Sequence, residues 1–368
     1  MEKRKWADVL HIVSGKNQKD VQNPNGKYPI YGSGGKMGYA DEYLCEPGTT
    51  IVGRKGTINR PIYVDEPFWN IDTAFGVTPD GGLDSKYLFY FCVHFNFMPL
   101  DKSTGRPSLA KSDLLKIEMP VPSIDEQRRI VCRIEELFSE LDNSVSTLQK
   151  TKEQLKVYRQ AVLKDAFKGV VEKKPIRQMS EFVTSGSRGW AKYYADEGAR
   201  FIRITDLTRD KIILKNDGIQ RVNLPEETEG KRSRLNPFDV LVSITADLGS
   251  IALIPEDIEE AYINQHIAMI RFENPQLGEF MAWYLKSDYG QKDLLKNKRG
   301  GGKLGLGLDD IRDTPVPDVS DATSKKIVSE IESRLSVCDS IEHTVDTALQ
   351  QAEAMRQSIL KQAFEGRL

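Results

Sequence analysis

Two long stretches of the chain contain neither glycine nor proline, and they limit the possible folds more than any other feature. Residues 123–168 and 322–365 lack both residue types, although the whole chain has 28 Gly and 17 Pro. Glycine costs about 1 kcal/mol and proline about 3 kcal/mol in a helix interior, so each stretch is free to form one long helix. The sequence therefore predicts two long helices that alternate with two globular segments.

The two stretches are also copies of each other. Around the first stretch the chain reads PVPSIDEQRRIVCRIEELF and then ends in RQAVLKDAFKG, whereas around the second it reads PVPDVSDATSKKIVSEIESRL and ends in RQSILKQAFEG. From Ile130 and Ile327 to Gly169 and Gly366, the two copies keep a constant offset of 197 residues. A repeat of this length predicts a tandem duplication in which each half ends in a helix.

Apolar residues recur at alternating steps of four and three along both stretches. A 3.5-residue period sustained over five heptads is typical of a coiled coil, and the two helices are most simply each other's partner. We favour an antiparallel pair, although the length of chain between the helices also permits a parallel one. The predicted seam consists of Ile130, Ile134, Leu137, Leu141, Leu148 and Leu155 in the first helix and Ile327, Ile331, Ile341, Val345, Met355 and Ile359 in the second.

The segments that precede the helices contain short apolar runs bounded by turn residues, a pattern typical of strands. Examples are TTIVG and PIYV in the first segment and DVLVSI and IAMIRF in the second. Each segment also has an aromatic helical stretch, KYLFYFCVHF or EFMAWYLKS, followed by a basic loop with glycine. We predict an α+β protein with two similar mixed α/β domains separated by two long helices. The predicted domains are 1–122 and 175–317, and the predicted helical regions are 123–174 and 318–368.

The charge balance limits the classes of function. Lys plus Arg total 52 against 54 for Asp plus Glu, so the chain has no overall basic field. Segment 1–122 has 15 basic and 14 acidic residues, and segment 175–317 has 20 and 22, so phosphate contacts require a local patch. No run of about 18 apolar residues predicts a membrane span. The four cysteines form no CxxC pair, which favours the reducing cytoplasm.

Two kinds of local patch are candidates for DNA contact. The first is the basic loop before each long helix, where glycine lets the backbone approach phosphates that Lys and Arg neutralise. Such loops are just as often solvated turns, but their recurrence at equivalent positions favours a shared role. The second kind is the segment GRKGT with its counterpart DVLVSITADLGS, since arginine can pair with guanine in the major groove. The segment RGWAKYY adds basic and aromatic residues, and aromatics there are more often packed than in contact with bases. The candidate DNA-binding residues are Arg54, Lys55, Thr57, Arg60, Lys102, Thr104, Arg106, Arg188, Lys192, Ser243, Thr245, Lys298, Arg299 and Lys303.

Sequence signatures of catalysis are missing. No Gly-Lys pair is followed by Ser or Thr, the four histidines lack metal-ligand spacing, and no Gly-x-Ser-x-Gly motif occurs. We therefore predict no catalytic and no metal-binding residues.

The quoted segments resemble the specificity subunit of type I restriction-modification systems. The resemblance rests on PVPSIDEQRRIVCRIEELF, the helix ends QAVLKDAFKG and QSILKQAFEGRL, and the segment EPGTTIVGRKGTI, and it covers the whole chain. It implies two target-recognition domains, each reading one half of a split double-stranded DNA target, and helices that set the gap between the halves. It also implies a subunit without catalytic activity. Its helices would dock two adenine methyltransferase subunits that use S-adenosylmethionine, and restriction subunits would join them, with ATP and Mg bound on the partners.

Two functions from different classes remain open at this point. The first is DNA recognition within a methylation and restriction complex, and the second is a non-catalytic coiled-coil adaptor that joins protein partners. The adaptor predicts no salt-dependent affinity for duplex DNA, whereas the recognition subunit predicts a steep salt dependence. Both interpretations place the protein in the cytoplasm and away from membranes.

Overall fold

The structure is a computed structural model that describes residues 2–225, 231–296, 298–299 and 304–368. The chain divides into two compact units, one formed by Met1–Gln149 with Asp346–Leu368 and the other by Lys150–Val345. Each unit therefore contains one sheet-bearing domain and a part of each long helix. Among the helices of the described ranges, none is both long and apolar enough to span a bilayer.

The first half of the chain folds into a four-stranded and a three-stranded sheet followed by a long helix. The four-stranded sheet has the order β2-β8-β5-β6, the three-stranded sheet has the order β4-β3-β7, and β1 pairs with β9. The elements are β1 (Lys3–Lys5), α1 (Trp6–Val9), β2 (Leu10–Ser14), β3 (Tyr28–Gly32), β4 (Gly35–Ala40), β5 (Thr49–Gly53), β6 (Ile62–Val64), β7 (Trp69–Asn70), β8 (Ala74–Pro79), α2 (Ser85–His94), α3 (Lys111–Leu114), β9 (Glu118–Pro120) and α4 (Ile124–Ala166).

The second half has a similar order of elements, but its second sheet has four strands in place of three. Its sheets have the orders β11-β18-β15-β16 and β12-β14-β13-β17, and β10 pairs with β19. The elements are β10 (Lys173–Pro175), β11 (Ser180–Ser185), β12 (Tyr194–Ala195), β13 (Ala199–Ile202), β14 (Arg221–Val222), β15 (Val240–Ser243), β16 (Ile251–Leu253), β17 (Ala261–Ile263), β18 (Ile267–Phe272), α5 (Gly278–Lys286), α6 (Asp288–Leu294), α7 (Leu308–Arg312), β19 (Pro315–Pro317) and α8 (Asp321–Phe364).

The sheets β2-β8-β5-β6 and β11-β18-β15-β16 correspond strand by strand. In the first sheet, β8 pairs antiparallel with both β2 and β5. In the second sheet, β18 pairs antiparallel with both β11 and β15 in the same way. The duplication seen in the helices thus extends to the sheets. The predicted α+β class, with two similar mixed domains and two long helices, is confirmed.

Strand β15 shows how the core of the second domain is built. Val240 and Val242 belong to the apolar cluster that contains Phe280 of α5, whereas Leu241 belongs to a second cluster that contains Ile263 of β17. Successive side chains of a strand point to opposite faces, and here both faces are covered. This explains why the strand is a continuous apolar run rather than an alternating one.

The end of each long helix is anchored in a domain by one phenylalanine. In the first unit, the ring of Phe364 lies edge-on at 5.2 Å from Tyr87 and 5.4 Å from Phe91 of α2. In the second unit, Phe167 lies edge-on at 5.5 Å from Phe280 and 5.3 Å from Tyr284 of α5. The two phenylalanines are 197 residues apart, so the repeat reproduces the anchor.

The start of each long helix is attached less symmetrically. Gln127 of α4 is fully buried, accepts a hydrogen bond from the Asp84 amide at 2.8 Å and donates to the Gly82 carbonyl at 2.9 Å. The repeat-related residue in α8 is Ser324, whose hydroxyl donates to the Asp321 carbonyl of its own helix at 3.0 Å. Only the first of these two residues, therefore, bonds the helix directly to its domain.

The long helices run antiparallel. In the second unit, the Arg159 guanidinium of α4 donates to Asp339 at 2.6 Å and to Glu342 at 3.0 Å in α8. Farther along α4, Asp165 pairs with Arg334 at 3.1 Å. Higher residue numbers in α4 thus face lower numbers in α8, as predicted for an antiparallel pair.

The ion pair of Arg159 has a copy in the first unit. There Arg356 of α8 pairs with Asp142 of α4, and its guanidinium lies 4.9 Å from the centre of the Phe138 ring. Arg159 and Arg356 are 197 residues apart, and so are Asp142 and Asp339. The duplication therefore places the same arginine–aspartate contact between the helices in each unit.

The structure corrects the predicted seam in α8. Ile341 and Met355 are 40% and 53% exposed, while their neighbours Glu342 and Arg356 turn toward α4 to form ion pairs. A straight helix has 3.6 residues per turn and drifts away from a strict 3.5-residue pattern, so the inward position moves by one residue. Of the other predicted seam residues, Ile130, Ile134, Leu141, Leu155, Ile331 and Val345 are buried, and Leu137, Leu148, Ile327 and Ile359 are half-buried.

Some of these buried residues do not pack between the helices alone. Ile130 and Ile134 belong to the core of the first domain, and Ile331 belongs to the core of the second domain. The apolar repeat of each helix thus serves two purposes. Its first turns cover a sheet-bearing domain, and later positions pack against the other helix.

We expect Arg159→Ala to lower the free energy of unfolding by about 2 kcal/mol, because it removes two charge-assisted hydrogen bonds from a side chain that is 8% exposed. Lys156→Ala, which removes a surface pair with Glu153 one turn away, should change it by less than about 1 kcal/mol. Urea denaturation monitored by circular dichroism measures both. Equal effects of the two substitutions would contradict this role for Arg159.

Candidate nucleic-acid interface

In the first domain the two predicted patches form one surface. The Gly56 amide donates to the Pro107 carbonyl at 2.8 Å. Gly56 has a φ of 87°, and a Cβ at this position would lie 2.7 Å from the Arg106 guanidinium. The positive φ favours glycine here, whereas the flexible end of the Arg106 side chain could shift to make room for a Cβ. The hydrogen bond between Gly56 and Pro107 joins loop 54–57 to the residue that follows loop 102–106, and the two loops lie about fifty residues apart in the sequence.

Beside this contact lies a cleft of about 550 Å³. The Arg54 guanidinium lies 5.7 Å from the centre of the Phe75 ring, and within the described part of the chain no side-chain hydrogen bond occupies it. Lys102 pairs with Asp113 at 2.8 Å. Lys111, which the sequence patterns did not single out, donates to a backbone carbonyl at 2.7 Å. The polar lining residues are Ser14, Arg54, Lys102, Ser103, Ser108, Lys111 and Asp113.

The other predicted residues of the first domain lie on the surface. All five are exposed, so they are accessible to a ligand: Lys55, Thr57, Arg60, Thr104 and Arg106.

In the second domain the predicted residues at the end of β15 serve the fold. Ser243 is fully buried, and its hydroxyl accepts from the Ser250 amide at 2.8 Å and donates to the Asp247 carbonyl. The DNA contact predicted for Ser243 is therefore wrong, because the residue has no accessible surface. Thr245 is half-buried, and its hydroxyl lies 2.6 Å from Nδ1 of His266.

The basic loop before α7 is only partly available for phosphate contact. Arg299 is exposed, but its guanidinium donates to Asp310 at 2.8 Å, and Asp310 is a buried carboxylate. Lys298 is exposed, while Lys303 lies outside the described residues. The pair with Asp310 partly offsets the charge of Arg299.

The predicted residues Arg188 and Lys192 lie at a cleft of about 750 Å³. Both are exposed, and the Lys192 ammonium lies 4.8 Å from the centre of the Tyr193 ring. Arg232 and Gln265 also line the cleft, and no carboxylate is among its described lining residues. Sequence reasoning missed these two residues because they come from segments about 40 and 75 residues farther along the chain, and no local pattern connects them.

Each cleft lies at the end of a matching strand, which is β2 in the first domain and β11 in the second. Ser14 ends β2 and lines the cleft of the first domain, while Ser185 ends β11 and lines that of the second. The glycine that follows each serine lies against the carbonyl of a neighbouring isoleucine, where a Cβ would come within 1.8 Å. The duplication has thus placed a cleft with basic lining residues at the same strand end in each domain. No group of three metal-ligating side chains was found in the described ranges.

The chain is similar in sequence to known proteins. Residues 1–157 match the family model for the type I restriction modification DNA specificity domain. The specificity subunit of the type I restriction enzyme EcoBI from Escherichia coli is 24% identical over 89% of this chain and 75% of that protein. The specificity subunit of the type I restriction enzyme StySPI from Salmonella potsdam is 24% identical over 86% of this chain and 73% of that protein.

Solved structures share the fold. A chain from a study of complex assembly and conformational transition of the type I R-M system has a TM-score of 0.77 at 15% identity, with 100% of this chain and 98% of that chain covered. The HsdS subunit from Thermoanaerobacter tengcongensis has a TM-score of 0.56 at 14% identity, with 100% and 97% covered. The duplicated architecture, the family model over residues 1–157 and the relatives agree: the chain is similar in sequence and fold to type I restriction-modification specificity subunits.

Proposed function

We propose that this protein is the sequence-specific DNA-recognition subunit of a type I restriction-modification complex. Each sheet-bearing domain binds one half of a bipartite double-stranded target, and the paired helices set the spacer between the halves. The observation that supports this most is the occurrence of a cleft with basic lining residues at the same strand end in two similarly built domains.

The clefts supply the two kinds of contact that DNA recognition needs. Lysine and arginine neutralise phosphates, which fixes the position of the duplex, and a free guanidinium such as that of Arg54 pairs with guanine through two parallel hydrogen bonds. The lining residues differ between the domains, with Arg54, Lys102 and Lys111 in one and Arg188 and Arg232 in the other. Different side chains at matched places suit two different half-targets.

In this proposal, partner subunits carry out methylation and restriction. Two methyltransferase subunits dock on the paired helices, because the repeat supplies each docking surface twice, and they bring S-adenosylmethionine. Restriction subunits join this core and use ATP and Mg. A net charge of −2 fits a subunit that binds DNA as part of an assembly in which partners supply further positive charge.

Deleting the gene tests the proposal as a whole. We expect adenine methylation to disappear at one split motif in the genome of the deletion strain, whereas an unchanged adenine methylome would contradict the proposal. The alternative, a coiled-coil protein adaptor, would be favoured if the assembled complex bound duplex DNA with no dependence on salt concentration.

Substitutions in the two clefts should separate the half-sites. In the complex with methyltransferase subunits, Arg54→Ala should reduce discrimination at the half-site of the first domain about 10- to 100-fold and leave the other half-site unchanged. Arg188→Ala should weaken methylation through the second domain alone. Methylation rates on duplexes with single base changes in each half measure this.

Lys19→Ala is a suitable control, because Lys19 is an exposed basic residue of the first domain that does not line the cleft. Loss of discrimination at both half-sites in the Arg54→Ala variant would contradict the proposal that each domain recognises one half-site.

A further inference from the structure

A chain of hydrogen bonds holds one side chain at the cleft of the second domain. Gln265 lines this cleft, and its amide nitrogen lies 3.0 Å from Nε2 of His266. On the other side of the ring, Nδ1 of His266 lies 2.6 Å from the hydroxyl of Thr245. The His266 amide donates to the Asn264 side chain at 3.1 Å, which fixes the backbone beneath the ring.

The direction of these bonds follows from their chemistry. An amide NH₂ group can only donate, so Nε2 of His266 is the acceptor from Gln265. Nδ1 then carries a proton, which it donates to the Thr245 hydroxyl. Thr245, one of the residues predicted to contact DNA, is hydrogen-bonded through its hydroxyl to the ring that holds Gln265.

This arrangement leaves the other half of the Gln265 amide available. One N–H is used by His266, while the second N–H and the carbonyl oxygen have no hydrogen-bond partner within the described chain. A donor and an acceptor side by side match the major-groove edge of adenine, which offers N7 as acceptor and the N6 amino group as donor. An amide that is already held in place loses less conformational entropy on binding than a free one.

The charges around Gln265 suit a nucleic acid. Arg188, Lys192 and Arg232 line the same cleft. These cations attract the phosphate backbone regardless of sequence, whereas Gln265 is a neutral group among them whose amide can distinguish bases.

The first domain has no glutamine followed by histidine at the equivalent position. Gly15 and Gly186 lie against Ile71 and Ile263, respectively, so these isoleucines are equivalent positions. Two residues beyond them, the second domain has Gln265 followed by His266, and the first has Thr73 followed by Ala74. The pair thus marks a difference between the two readers.

We propose that Gln265 reads an adenine in the half-target of the second domain and that His266 and Thr245 position its amide. This inference rests on the proposed function. Gln265 is the specificity-determining residue in this assignment, and His266 is a positioning residue that acts through it.

The test uses the complete chain in complex with its methyltransferase subunits and duplexes that contain the target. Each adenine of the half-sites is replaced in turn by 7-deazaadenine, which lacks the N7 acceptor. We expect one replacement in the second half-site to lower methylation by wild-type complex about 10- to 100-fold. Gln265→Ala should lower methylation of the normal target by a similar factor and should no longer respond to that replacement.

Further variants separate the roles. Gln265→Met keeps the length of the side chain without hydrogen bonds and should behave like Gln265→Ala. His266→Ala should weaken discrimination at the same base without changing its identity, and Thr245→Val should have a smaller effect in the same direction. Discrimination at the first half-site should not change in any of these variants.

The outcomes distinguish this inference from the proposed function. If Gln265→Ala and Gln265→Met keep full discrimination at every base while Arg188→Ala lowers methylation, the assignment of Gln265 is wrong and the recognition function stands. If the variants weaken all sequences equally, Gln265 contacts the backbone, and the inference is again overturned. If the complex recognises no split target, the proposed function itself fails.

Discussion

Replacing Phe167 by alanine is expected to lower the free energy of unfolding of the second unit by about 3–5 kcal/mol. The ring is 3% exposed and packs edge-on against Phe280 and Tyr284 of α5. Truncation removes this aromatic contact and leaves a cavity between the end of α4 and the domain core. Because the cavity is enclosed by rigid elements, little relaxation is available to fill it.

The repeat provides a matched variant. Phe364→Ala should destabilise the first unit through the loss of the corresponding contacts with Tyr87 and Phe91, and less strongly because Phe364 is 8% exposed. Hydrogen exchange measured by mass spectrometry can follow each unit separately. We expect each substitution to raise exchange mainly in its own unit.

A suitable control is Tyr158→Ala, which truncates an aromatic residue of α4 that is 44% exposed and should cost no more than about 1 kcal/mol. If Phe167→Ala and Tyr158→Ala had the same effect, the phenylalanine would not be an anchor.

Inserting one heptad into each long helix is expected to abolish methylation of the original target and create activity on a target with a different spacer. Leu148 and Val345 are 197 residues apart, so insertions after them lengthen both helices at equivalent positions. Seven residues add about 10.5 Å to a helix, which corresponds to at most about three base pairs of B-DNA. A whole heptad preserves the inward-facing positions of both helices.

Both half-sites should remain unchanged, because their readers lie in the sheet-bearing domains. Sequencing of adenine methylation in cells that carry the variant measures half-sites and spacer together. An insertion in only one helix is the control, and it should destabilise the protein because one side of the helix pair loses its register. A change of half-sites at constant spacer would show that the helices do not set the distance.

Much of the fold could be predicted from local patterns. The absence of glycine and proline from residues 123–168 and 322–365 predicted two long helices, and the structure has them at Ile124–Ala166 and Asp321–Phe364. The offset of 197 residues predicted a duplication that recurs in the order of the strands. Both features could be predicted because helix propensity is a property of residues close together in the sequence, and a repeat is found by comparing the chain with itself.

The candidate site was predicted in part. Arg54, Lys102, Arg188 and Lys192 line the two clefts, and glycine and basic residues in short segments were sufficient to find them. Arg232 and Gln265 were missed because the fold brings them to the cleft from distant segments. Ser243 was predicted wrongly, since a strand pattern does not show which hydroxyl closes a turn beneath the surface.

The sequence by itself determined the two helices, the duplication and the order of domains, because each depends on contacts between near neighbours or on comparison of the chain with itself. The tertiary structure decided which face of each helix is buried. Glu342 and Arg356 turn inward in place of Ile341 and Met355 because each finds an opposite charge on α4, in Arg159 and Asp142. It also decided which side chains meet in a cleft, since that depends on packing between segments that no local pattern connects.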